Sequence, residues 1–162
     1  MRICIGYPSL DDPRGFPQIG GNRQAQFFHK KAAIYPYIPA MAATLLEKAG
    51  HEVMWSDGPA EGISWSRQLK GLRELNPDLV AWEVKTPSVI KTWQRVAELK
   101  EEMPHCTVVL MGDHVTALPQ ETLANSPTDI ALTGGDFDFG LMALVRDKED
   151  GLDRISELCV RK

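Results

Sequence analysis

The chain has 162 residues, 43% hydrophobic and 25% charged, a composition suited to one globular domain that buries a core without disulfides or metal staples. Lys and Arg number 18 against 22 Asp and Glu, a formal charge of −4 that offers neither a basic footprint for nucleic acid nor a polybasic patch for a membrane. No apolar run approaches the roughly 20 residues of a spanning helix, and the opening apolar stretch, Met1 to Tyr7, is too short for a secretion signal.

Short β-like runs alternate with helical periods along the chain, the pattern of a parallel α/β sheet. The first strand is Arg2 to Tyr7. A long stretch without period, residues 8–31, follows and is rich in Gly, Pro, Asn and Gln; loops of that length are unusual in compact domains and either carry function or are disordered. The first helix is predicted from Tyr37 to Ala49, with Ile38, Met41, Leu45 and Ala49 at helical spacing and Gly50 as a left-handed cap. The second strand is Glu52 to Trp55, and the second helix runs from Ser64 to Leu75, stopped by Asn76-Pro77. The third strand, Leu79 to Val84, is apolar except for Glu83, which the pattern does not explain.

The third helix starts with Thr86 as a possible cap and Pro87 at the first helical position, and buries Val89, Trp93, Val96, Leu99 and Met103. The fourth strand is Thr107 to Met111, followed by a turn at Gly112-Asp113-His114 and a short helix from Pro119 to Asn125. A fifth strand, Asp129 to Thr133, leads through Gly134-Gly135-Asp136 into a helix from Phe137 to Asp147. These units predict a doubly wound, parallel five-stranded sheet, a Rossmann-like or flavodoxin-like three-layer sandwich with strand order 2-1-3-4-5. Residues 1–147 then form the domain, and the charged stretch 148–162 is expected to begin a linker towards a further domain.

In such a sheet, ligands bind at the carboxyl ends of the strands. That edge collects Pro8, Lys85-Thr86-Pro87-Ser88, Gly112 to Thr116 and Gly134-Gly135-Asp136, whereas His51 and His105 precede strands and lie at the other edge. Gly112 and Gly134-Gly135 either let backbone approach a ligand closely or simply turn the chain. Thr86 and Ser88 either cap a helix or bond a ligand, and His114 either contacts a ligand or bonds within its turn. Cys4, Cys106 and Cys159 are far apart with no C-x-x-C spacing, which argues against a zinc or redox motif and suits a reducing, cytoplasmic setting. Asp11-Asp12 matches the acidic pair of a phosphorylation receiver domain, but the phosphoacceptor Asp and the Lys of that motif are missing. Neither a dinucleotide nor a P-loop signature is present, and no nucleophile arrangement stands out, so no catalytic residue and no metal ligand is assigned.

Three stretches resemble the N-terminal cobalamin-binding domain of cobalamin-dependent radical S-adenosylmethionine enzymes. They are Tyr35-Pro36-Tyr37 continuing into Ala42 to Val53, Asn76 to Val80 continuing to Thr86-Pro87-Ser88, and Val108 to Leu123, whose Gly112-Asp113-His114 stands where the family has Gly-Pro-His. The resemblance implies a domain that binds cobalamin (vitamin B12) and presents the corrin to a separate iron–sulfur catalytic domain of the same longer chain, for methyl transfer or related radical chemistry. The iron–sulfur cluster and S-adenosylmethionine would belong to that other domain, because the cysteines here lack C-x-x-x-C-x-x-C spacing. The cofactor pocket implied is lined by Pro8, Tyr35, Thr86, Pro87, Ser88, Gly112, Asp113, His114, Val115, Gly134, Gly135 and Asp136. The D-x-H-x-x-G of methionine-synthase-like domains is absent, so no protein histidine is expected on cobalt. A rival reading is an interaction module of the same fold that has lost the cofactor, since carboxylates at Asp113 and Asp136 could repel a phosphate-bearing tail.

Overall fold

The computed structural model describes residues 1–10, 12–17, 27–30, 34–135, 137–150 and 158–160. The central strands are β1 (Arg2–Tyr7), β4 (Glu52–Asp57), β5 (Leu79–Glu83), β6 (Thr107–Met111) and β7 (Ile130–Leu132), all parallel and ordered β4-β1-β5-β6-β7. This is the order 2-1-3-4-5 expected from the sequence. Two short strands, β2 (Phe16–Pro17) and β3 (Phe27–Phe28), pair antiparallel inside the stretch 8–31, which the sequence reading left without regular structure. At the far edge β8 (Leu158–Val160) pairs antiparallel with β7, so part of the stretch 148–162, expected as a linker, extends the sheet instead.

Helices cover both faces, as the largely apolar central strands require. Along β5 the side chains alternate: Val80 and Trp82 join one cluster with Leu72, Val96, Leu99 and Leu110, and Leu79 and Ala81 join the other with Leu46, Met111 and Leu141. The first cluster packs under α3 (Trp65–Leu75) and α4 (Val89–Glu102), the second under α1 (Tyr37–Lys48) and α7 (Phe137–Asp150). Ser64 caps α3 by accepting from Arg67 N, and Asn76 closes it at φ 50°.

Four further details differ from the sequence expectation. On α1 the buried positions are Pro39, Ala42 and Leu46, one residue round from the predicted stripe, and Met41 is 48% exposed. The small Ala42 lets the helix lie close to the sheet, which a Met there would prevent. Strand β4 continues to Asp57, which accepts from Ala60 N and starts the short α2 (Gly58–Glu61). Thr86 does not cap; Thr86–Ser88 form a single 3-10 turn ahead of α4. The expected turn at Asp113-His114 is itself helical, α5 (Asp113–Ala117), followed by α6 (Pro119–Asn125).

Candidate functional site

A cleft of about 280 Å³ opens at the carboxyl ends of β5, β6 and β7. Its walls are Tyr35 to Pro39 at the start of α1, with Gly135 and Phe137 after β7 opposite, and its floor is Glu83, Lys85 and Asp113. The topology places it there: the chain reverses its direction of sheet growth between β1 and β5, which leaves the strand tips beside that point uncovered.

The floor is a chain of paired groups. Period-two alternation puts Glu83 on the same face as Leu79 and Ala81, and Lys85 two residues on has the same sense. In register, Gly6 of β1 pairs with Trp82, so Tyr7 comes level with Glu83. The Tyr7 hydroxyl donates to Glu83 Oε2. Glu83 Oε1 lies 2.7 Å from Lys85 Nζ, which lies 3.0 Å from Asp113 Oδ2. The Glu83 and Lys85 side chains are only 7% and 9% exposed, whereas that of Asp113 is 52% exposed. A carboxylate buried this deeply is tolerable only because it is paired and hydrogen-bonded. That explains the one acidic residue in an otherwise apolar strand.

The chain of contacts shifts two proton affinities. Burial, and then the Glu83 carboxylate, push the Tyr7 hydroxyl far above its ordinary value. For Lys85, burial presses the ammonium down, but the carboxylates of Glu83 and Asp113 outweigh it and the net shift is upward. The folded protein therefore holds both protons more tightly than the unfolded chain, where they titrate near about pH 10. The stability from both groups is complete below that pH and is lost as pH rises above it. The urea midpoint is expected to fall from about pH 10 upward, and less steeply in Tyr7→Phe. A midpoint flat through that range would contradict this account of the floor.

The glycines differ in purpose. Gly112 sits at φ +108°, and a Cβ there would come within 2.8 Å of Val84 O and 3.0 Å of Glu83 Cγ. Its bareness serves the close approach of β5's end, where Val84 N donates to Met111 O. Gly112→Ala is expected to cost about 1–3 kcal/mol in thermal or urea unfolding, and wild-type stability would contradict that packing role. Gly134 is tied to α5, its N–H donating to Thr116 Oγ1 at 3.1 Å. Gly135 is exposed at the cleft, with no heavy atom within 4 Å of where a Cβ would stand.

The structure brings Tyr35, Asp113 and Gly135 to the cleft among the candidates read from the sequence. Pro8 is buried, Pro87 half-buried and Thr86 exposed beside it, and Asp136 lies outside the described residues. Ser88 is 6% exposed and its hydroxyl donates to Lys85 O at 2.9 Å, a local bond. Val115 is fully buried in the core. His114 is 5% exposed, 3.4 Å through Nδ1 from Thr86 Oγ1 and edge-on to Trp93 at 5.9 Å. Burial lowers its pKa against the pull of the Glu121 carboxylate. Glu83 and Phe137 were missed as site residues, and so was Lys85, although it stands on the correct edge. The signal available was Glu83 itself, with a cation two residues on and Tyr7 ending the adjacent strand.

Among the described residues no helix is long and apolar enough to cross a membrane, and no group of three or more His, Cys, Asp or Glu could hold a metal ion. Comparison with known proteins gives no matching family model. In sequence the chain is similar to the anaerobic magnesium-protoporphyrin IX monomethyl ester cyclase of Cereibacter sphaeroides, 30% identical over 115 residues, which is 68% of this chain and 19% of that protein. In structure it is similar to the radical S-adenosylmethionine methyltransferase TsrM of Kitasatospora setae, solved with cobalamin and a 4Fe–4S cluster bound. That match has a TM-score of 0.72 at 19% identity, over 99% of this chain and 29% of the other. The chain thus spans about a fifth of the curated relative and under a third of the solved chain. The three-layer α/β fold read from the sequence is shared with that structure, and the resemblance stated above points to the same class of enzyme.

Proposed function

We propose that this domain binds cobalamin and presents the corrin to a catalytic domain carrying an iron–sulfur cluster and S-adenosylmethionine, as part of a radical S-adenosylmethionine enzyme in the cytoplasm. The observation that carries the reading is the fold match, over 99% of the chain, to a methyltransferase with cobalamin bound. The residues fit the group. Gly135 offers bare main chain, Tyr35, Pro36, Ile38 and Phe137 give an apolar wall for a flat ring, and the floor is polar, as the amides of the ring's rim would need. At about 280 Å³ the cleft is smaller than the roughly 300–1,000 Å³ of pockets that enclose a ligand alone. A partner domain closing over the exposed part of the corrin accounts for that.

In this reading Tyr35 and Phe137 exclude water from one side of the ring, Gly135 lets it approach the strand tips, and Glu83 and Lys85 orient it. His114, buried with Nδ1 3.4 Å from Thr86 Oγ1, is not placed on cobalt in the same reading. When bound, cobalamin supplies a methyl group for transfer or assists radical chemistry on a substrate. Residues 1–150, together with β8 at the sheet edge, would be the cobalamin-binding unit, which would connect to the catalytic one.

Hydroxocobalamin mixed with the purified protein is expected to co-elute on gel filtration, seen by its visible absorbance. No co-elution at roughly tens of micromolar would overturn the proposal. The rival, a module that lost its cofactor, rested on repulsion by Asp113 and Asp136; the first is paired with Lys85, and the second lies outside the described residues. Position 113 is the first residue of α5, behind Gly112 with ψ −174°, and the first helical position accepts proline. Asp113→Pro is therefore expected to fold and to alter corrin binding little; binding that appeared only in the variant would favour the rival.

A further inference from the structure

The ion pair on the cleft floor has hydrogen-bonding capacity that the fold leaves unused. Lys85 Nζ carries three N–H donors. Two go to Glu83 Oε1 at 2.7 Å and Asp113 Oδ2 at 3.0 Å, and among the described residues the third has no partner. Glu83 accepts from Tyr7 at one oxygen and from Lys85 at the other, and each oxygen keeps a further lone pair. Both residues line the cleft.

Charge decides what such a site takes. Two carboxylates against one ammonium leave the floor net negative, so a phosphate or carboxylate approaching Lys85 also meets Glu83 and Asp113. A bare ammonium would satisfy the carboxylates and leave the Lys85 donor facing another cation. A neutral group that donates and accepts through two atoms on one carbon satisfies both partners, as a primary carboxamide does.

We propose that Glu83 and Lys85 form a carboxamide site, the amide N–H donating to Glu83 and its oxygen accepting from Lys85. The group seated there is one of the primary amides at the corrin rim, and the phosphate-bearing tail lies away from Lys85. This rests on the reading that the cleft takes a corrin.

The test is a spectral titration of wild type, Glu83→Gln and the double variant Glu83→Gln/Lys85→Met. The probes are hydroxocobalamin and its ring monocarboxylic acids, each with one amide replaced by a carboxylate. On wild type, at least one acid is expected to bind about tenfold or more weakly than hydroxocobalamin. In Glu83→Gln, which keeps an acceptor for Tyr7, that penalty shrinks. The double variant carries no charge at either position, so it avoids an unpaired buried ion, and its fold is checked by thermal unfolding. It is expected to lose about tenfold in hydroxocobalamin affinity. Acids that all bind wild type as well as hydroxocobalamin does, or a folded double variant with wild-type affinity, would overturn the carboxamide site alone. Wild type that binds no corrin would overturn this site together with the cobalamin reading.

Discussion

Replacing Glu83 by Ala is expected to lower the unfolding free energy by about 3–5 kcal/mol, the range for removing one partner of a buried ion pair. The loss has two sources. Lys85, with its side chain 9% exposed, would keep its charge with only the half-exposed Asp113 to balance it. Tyr7, 1% exposed, would lose the acceptor for its hydroxyl. Since domains of this size are stable by only roughly 5–15 kcal/mol, the variant would sit near the edge of folding. Glu83→Gln retains an acceptor for Tyr7 and is expected to cost less. Urea unfolding of the two variants measures the difference, and equal losses below about 1 kcal/mol would show that the floor is not a coupled chain.

Gly6→Ala is expected to cost more than about 3 kcal/mol, by a different route. Gly6 lies opposite Ser56 where β1 pairs with β4, at φ +145°. A Cβ there would stand 2.0 Å from the Ser56 carbonyl oxygen and 2.7 Å from its carbon. Both atoms are backbone in a hydrogen-bonded strand, so relief requires breaking the ladder and not merely turning a side chain. The edge strand β4 should come away first, and amide exchange should rise along 52–57 well before it rises in β6. Native protection of β4 in the variant would contradict the close contact.

The alternation of helical and strand periods made the layers and the parallel sheet legible, because the inner strands are largely apolar on both sides and the helices on one. Thr107–Met111 and Pro119–Asn125 coincide with their predictions, since β-branched weight and a proline at the first helical turn mark their limits well. The face of α1 was misread because apolar residues occupy more than one side of that helix. Tyr37 and Met41 remain exposed while Ala42 and Leu46 pack inward, and periodicity alone does not choose between adjacent stripes. The strand β8 carries too short a signal to be seen, and it is held by pairing with β7.

The site was legible as an edge but not as a set of side chains. Glycines and hydroxyls at strand ends drew attention, yet Ser88 and Gly112 serve the packing of their own loops. Glu83 was visible as an anomaly in an apolar strand. Its meaning depended on the register that sets Tyr7 beside it, and a residue's neighbours across a parallel pair are not written in local spacing.

A crystal structure grown with hydroxocobalamin tests the binding of cobalamin at these strand tips most directly. The account predicts an edge of the corrin against Gly135, between the start of α1 and Phe137, with an amide at Glu83 and Lys85. A crystal in which that cleft holds no corrin, or in which the corrin lies elsewhere, would contradict it.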